Sequence, residues 1–170
     1  MCGSAAVSIN GAGRFVVNNV NTASSAVTVT DTATLVINAG KQMTSGALTV
    51  DSGATMEVAS GEHTFDGGLT LNDGATLAFN FTERTVTPQI ALPEGKTPTV
   101  KGAVKVKIPV QSKWPTGGEK LLTTCGGFDA EGVTVSLAEG APKWAKGVYV
   151  NEDGNIVLDV KPRGTRVIVR

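Results

Sequence analysis

Between Val27 and Phe79 one eleven-residue unit occurs three times at a fixed step of 21 residues: VTVTDTATLVI from Val27 to Ile37, LTVDSGATMEV from Leu48 to Val58 and LTLNDGATLAF from Leu69 to Phe79. Few folds accept such a chain. Apolar and polar residues alternate within each copy, which describes two short strands joined at a corner, each with one apolar face. A single copy leaves that face in water, whereas stacked copies cover it. A repeat of about 20 residues with strand periodicity therefore predicts a solenoid.

The pleat assigns the faces. Val27 and Val29, Leu48 and Val50, and Leu69 and Leu71 point one way, and Thr28, Thr49 and Thr70 point the other. After the corner, Leu35/Ile37, Met56/Val58 and Leu77/Phe79 point inward, while Val36, Glu57 and Ala78 fall on the outer side, which the charge of Glu57 marks as solvent. The corners read DTAT, SGAT and DGAT; Gly53 and Gly74 supply a positive φ for the bend, and Ala33, Ala54 and Ala75 fit its inside. A weaker third strand is expected at Lys41 to Met43 and at Glu62 to Phe65, and three strands per coil describe a parallel β-helix. Val7 and Phe15 lie 20 residues before Val27 and Leu35, so Ala6 to Val17 (AVSINGAGRFVV) is a shortened first copy with Gly11 and Gly13 at its corner. At a strand spacing of about 4.8 Å, the resulting four coils make a prism roughly 19 Å tall.

The texture changes after Phe81. FTERTVTPQIALPEGKTPTV carries three prolines, which central ladder positions exclude, so the stacking is expected to stop or be covered there. Charge shifts at the same place. Residues 1–82 hold two basic side chains (Arg14, Lys41) against six acidic ones (Asp31, Asp51, Glu57, Glu62, Asp66, Asp73), a net of −4, and the neutral total makes the remainder +4. Beyond the boundary, short runs separated by turn signals predict a small antiparallel β unit: Val100 to Val110, Lys120 to Thr124, Val133 to Leu137, Val148 to Val150 with Ile156 to Val160, and Val167 to Val169. NEDGN, from Asn151 to Asn155, reads as a hairpin turn with Asp153-Gly154 as its strongest element. The reading is thus an all-β chain: residues 5–82 form about four β-helix coils of ~21 residues, and residues 83–170 form a sandwich-like β unit that caps them. The low charged (18%) and aromatic (5%) fractions and the 21 glycines suit tightly turned strands. A zero net charge gives no overall preference for nucleic acid or anionic lipid.

Candidate chemistry is sparse. The Thr28/Thr49/Thr70 and Thr34/Thr55/Thr76 columns could present hydroxyls to ice or a glycan, but β-branched Thr is also favoured on exposed strands, and Thr30, Asp51 and Asn72 break the array. Asp31, Asp51, Asp66 and Asp73 lie near turns in no calcium-repeat register, which favours Asx-turn roles. His63 is the only histidine, without a nucleophile or second base at a suggestive spacing, and is expected on the surface of the third strand. Cys2 and Cys125 have no metal-ligand spacing; Cys125 reads as a small buried residue. No catalytic, metal or cofactor residue is assigned. Lys105 and Lys107 share one strand face, either contacting an anionic surface or, the favoured reading, protecting an exposed edge from pairing. Trp114 (KWPTGG) and Trp144 (PKWAKG) either cover the open end of the coils, the favoured reading, or form a carbohydrate platform. These four residues are the candidate ligand or partner contacts.

The repeats LTVDSGATMEV and LTLNDGATLAF, followed by a tail ending GNIVLDVKPRGTRVIVR, resemble the autotransporter-associated β-strand repeat proteins. The resemblance covers the repeats well and the tail loosely. It implies a right-handed parallel β-helix displayed at the bacterial cell surface or secreted, serving adhesion without inherent catalysis. The membrane barrel of a true autotransporter is missing from this sequence, which implies a passenger fragment or another export route. The function expected is a structural or adhesive module of a large exported protein. A carbohydrate- or partner-binding module using the tail is the alternative, and a polysaccharide-active β-helix enzyme a remote one. Because nothing before Val7 covers the first coil, its edge is expected to meet further upstream coils or another copy.

Overall fold

The computed structural model describes residues 6–18, 25–40, 46–116 and 118–162, and none of these is helical. The chain is all-β. Its strands are β1 (Val7–Ile9), β2 (Arg14–Val17), β3 (Val27–Val29), β4 (Thr34–Ile37), β5 (Leu48–Val50), β6 (Thr55–Ala59), β7 (Gly61–Thr64), β8 (Leu69–Leu71), β9 (Ala75–Asn80), β10 (Pro88–Ala91), β11 (Thr99–Val100), β12 (Ala103–Lys107), β13 (Lys120–Leu121), β14 (Thr134–Leu137), β15 (Ala145–Val150) and β16 (Ile156–Val160).

Each repeat places its first strand in one parallel sheet and its second in another. The first sheet runs β1-β3-β5-β8-β11 and the second β14-β12-β9-β6-β4-β2. Equivalent residues meet in register: Val7, Val27, Leu48 and Leu69 form one column, and Phe15, Leu35, Met56, Leu77, Val106 and Leu137 another. Such columns are compatible with stacked β-helix coils. From the second copy onward the inward residues are fully buried, and a single apolar cluster extends from Ile9 to Val160.

The corners are tied to the next repeat as well as bent. The Gly11 N–H donates to Asp31 Oδ2 at 2.9 Å, and the Ala103 N–H to Asp73 Oδ1 at 2.7 Å. Gly53 (φ 81°) and Gly74 (φ 82°) take the left-handed bend as expected. The second copy has Thr32 where they have glycine, and there Asp31 itself adopts φ 57°, which Asp tolerates better than most side chains.

Parallel pairing does not stop at the prolines. Pro88 opens β10, where a missing N–H is harmless, and Pro93 and Pro98 lie in the connection to β11. Strand β10 pairs in parallel with β7, β11 with β8, and β12 with β9 and then β14. The expected antiparallel arrangement of Val100 to Val110 and Val133 to Leu137 is therefore corrected: the insertions lengthen a repeat without breaking its register. The third strand is observed at β7, while its expected counterpart at Lys41 to Met43, like Val167 to Val169, lies outside the described residues.

An antiparallel sheet, β13-β16-β15, is also present. Its hairpin turn is as expected: the Asn151 side-chain oxygen accepts the N–H groups of Asp153 and Asn155 at 3.2 and 2.9 Å, and Gly154 takes φ 72°. The two architectures share a seam at Leu122 and Thr123. The Ile90 N–H donates to the Leu122 carbonyl (2.9 Å) and the Thr124 N–H to the Ile90 carbonyl (3.0 Å), while the Leu122 N–H donates to the Ile156 carbonyl (2.8 Å). Thr123 is fully buried, and its hydroxyl oxygen accepts the Ile156 N–H at 2.8 Å.

A Cβ on Gly53 would stand 2.8 Å from the Asp31 carbonyl oxygen, so alanine there meets both a strained φ and a backbone clash. Gly132, at φ 78° with open space around it, isolates the strain alone. Gly53→Ala is expected to cost about 2–3 kcal/mol and Gly132→Ala about 1 kcal/mol, read as shifts of the urea midpoint.

Candidate functional site

The second strand of each repeat exposes an outer face whose middle column runs Val16, Val36, Glu57, Ala78 and Lys107. Alternation places these side chains in solvent, yet Val36, Glu57 and Ala78 are buried, Glu57 to 6% exposure. That part of the expectation is corrected. The charge of Glu57 does not mark open solvent, because its carboxylate is paired: Oε2 accepts Arg14 Nη1 at 3.3 Å across two strands, and Oε1 accepts Asn80 Nδ2 at 3.1 Å. The apolar residues on both sides, Val36 and Ala78, were the available signal that this face is covered. Arg14 carried none on its own.

Over this column lies a groove of about 400 Å³. Its lining includes Arg14, Glu57, Lys107, Val110, Gln111 and Glu139. A second depression of about 320 Å³ holds Lys105, Ser136 and again Glu139. The candidate lysines thus sit on one face as expected, both exposed, each lining one of two depressions of mixed charge that share Glu139. Their favoured role is not the observed one, however. Strand β12 lies between β9 and β14 and is not a sheet edge, so Lys105 and Lys107 protect no edge of their own.

The two tryptophans stand elsewhere, both hydrogen-bonded to the backbone of Lys161, just past the end of β16. Trp144 is buried and meets Phe81 edge to face, with ring centroids 5.7 Å apart at 89°. Its carbonyl accepts the Lys161 N–H at 2.8 Å, and Trp114 Nε1 donates to the Lys161 carbonyl at 3.1 Å. Trp114 is half-buried against the core cluster. Phe81 in turn receives the Lys113 N–H on its carbonyl (2.7 Å) and donates its own N–H to Ser112 Oγ (3.2 Å). The tryptophans therefore pin the antiparallel unit to the end of β9.

His63 is a further correction. It is buried on β7 at 3% exposure, with Nε2 hydrogen-bonded to the Ala59 carbonyl at 2.9 Å, because it lies on the same inward face of the strand as Phe65, beside buried Ile90 of the paired β10, while Glu62 takes the exposed side. Nδ1 has no hydrogen-bond partner among the described residues. The Asp51 carboxylate takes the Asn72 side chain, one repeat on, and with Asp31 and Asp73 it stitches repeats together. Among the described residues no group of His, Cys, Asp and Glu is arranged to hold a metal ion, and no helix is long and apolar enough to cross a membrane.

The first repeat presents the other notable surface. Val7 (40% exposed), Phe15 (43%) and Val16 (39%) are open to water although the same columns are closed one repeat later. Val7, Ile9 and Phe15 line a shallow groove of about 300 Å³ there. No family model, no curated protein and no solved structure matches the chain.

Cys125 is buried, as expected, while Cys2 lies outside the described residues. Burial pushes the Cys125 thiol up from 9.0 to about 11. The unfolded thiol ionises first as pH rises, so the contribution is whole below pH 9 and declines between pH 9 and about 11. Wild type is expected to lose stability over that window more steeply than Cys125→Ala, as measured by urea unfolding at stepped pH. At pH 8 the native thiol should resist alkylation and the unfolded one should react.

Proposed function

We propose that this chain is a non-catalytic structural or adhesive module of a large exported bacterial surface protein. Its repeats form a right-handed parallel β-helix of about four regular coils, and the C-terminal antiparallel unit caps the stack. The observation that carries this reading is the in-register stacking of equivalent residues through both parallel sheets, with corner carboxylates bonded to the neighbouring repeat. Polar side chains that would otherwise be available for chemistry are spent on joining repeats. The resemblance of LTVDSGATMEV and LTLNDGATLAF to autotransporter-associated repeats supports the surface setting. The Phe81–Trp144 contact and the Leu122–Thr123 seam support the capping role.

A second reading is a carbohydrate- or partner-binding module, and the trough of Arg14, Glu57, Lys107, Gln111 and Glu139 favours it. The two readings separate on a glycan array combined with a product assay on the same polysaccharides. The structural module gives no saturable binding and no product. Saturable binding that Lys107→Ala weakens at least tenfold, with Trp114→Ala unchanged, moves the function to the trough. Released oligosaccharide refutes the non-catalytic reading altogether.

A further inference from the structure

We infer that the outer face of the second sheet binds an acidic oligosaccharide, holding its carboxylates on Arg14 at one point and on Lys105 and Lys107 at another. This rests on the binding reading of the same groove and names the class of ligand it takes. The site lies across the strands and not off their end. A strand added beside β2 extends the sheet in its own plane and leaves this face as it is, so the site does not depend on what adjoins the first repeat.

A buried polar chain sets the groove. Glu57 is 6% exposed and both its oxygens are taken, Oε2 by Arg14 Nη1 at 3.3 Å and Oε1 by Asn80 Nδ2 at 3.1 Å. Asn80 Oδ1 in turn accepts the Ser112 hydroxyl at 3.4 Å, and Ser112 Oγ accepts the Phe81 N–H at 3.2 Å. Glu57 thus fixes the guanidinium over the sheet while spending one N–H of it, and a guanidinium has about five to offer a ligand. Along the column of Glu57, Ala78 and Lys107 the next cation stands two strand steps on, about 10 Å away. Lys105 lies two residues back on the same face, in the depression that shares Glu139 with the groove. Both lysines are exposed, and neither joins an ion pair among the described residues.

Spacing and lining select the ligand. Two cationic points about 10 Å apart exceed the reach of one carboxylate and suit a chain that carries such groups at intervals. Glu139, common to both depressions, accepts hydroxyls and repels carboxylates, so it favours a ligand with hydroxyls between its charges over a wholly acidic peptide. An extended peptide is ordinarily held through its backbone, and β12, with β9 on one side and β14 on the other, has no free ladder to give it. A neutral saccharide lacks its usual support too. Neither depression is lined by an aromatic ring, and both tryptophans are committed to the cap, which leaves charge as the means of recognition.

The test is isothermal titration calorimetry of the full chain at low salt with four probes: a hexamer of galacturonic acid, its methyl ester, the neutral galactose hexamer and hexaglutamate. The acidic hexamer should bind saturably, and the other three at least tenfold more weakly. Lys105→Gln and Lys107→Gln should each weaken the acidic hexamer at least threefold while keeping the wild-type unfolding transition, and added salt should weaken it further. Lys96 lines neither depression and donates to the Asp66 carbonyl at 2.9 Å, so Lys96→Gln, which removes the same charge, should change nothing. Ester or galactose hexamer binding as tightly as the acid overturns the inference and leaves the binding reading standing, whereas no binding by any saccharide overturns both. Equal or tighter binding of hexaglutamate, lysine variants that bind like wild type, or an equal loss in Lys96→Gln also overturns it.

Discussion

Everything in this molecule depends on the pairing of each short strand with the equivalent strand of the next repeat. A three-residue strand such as β3 or β5 has almost no independent stability, and its few hydrogen bonds pay off only when both edges are matched. In-register pairing does a second thing at once. It sets Val29 over Val50 over Leu71, so that each repeat closes the core of its neighbour. Backbone satisfaction and apolar burial are thus one event, and both lapse wherever a repeat has a neighbour on one side only.

The later chain keeps to this constraint while changing its means. The longer stretches between β9 and β12, which carry β10 and β11, and between β12 and β14, which carry β13, leave the register intact, and β12 and β14 return to the same columns. Leu122 and Thr123 then serve both pairing modes, bonding to Ile90 on one side and Ile156 on the other. Phe81 and Trp144 reinforce the same junction by packing. The result is one apolar cluster in which parallel columns pass into an antiparallel hairpin without exposing the last core residues.

How much of this was legible depends on whether the information is local. The repeat is local and periodic, so strand positions, the inward columns and the glycine corners could be read from residues alone. The turn Asn151 to Asn155 was equally plain. What escaped was set by distant parts of the chain. Whether Val36, Glu57 and Ala78 face water is decided by Arg14, Asn80 and later segments, not by their own alternation. Lys105 and Lys107 alternate as an edge strand would, but β14 pairs beyond them. His63 is the exception: two residues before Phe65, it shares that residue's inward face, so its burial was legible in the alternation of its own strand. The prolines point to a stop or a cover of the stacking because their places relative to strand starts cannot be known before register is.

The central claim is that equivalent residues of successive repeats lie side by side in parallel strands. Backbone nuclear Overhauser contacts in isotopically labelled protein test it most directly. The account predicts amide contacts linking Thr28 to Thr49 to Thr70 and Leu35 to Met56 to Leu77, continuing to Val106. Strong Hα–Hα contacts between these strands, or contacts displaced by one residue, would contradict it, since either places the apolar columns on the wrong face.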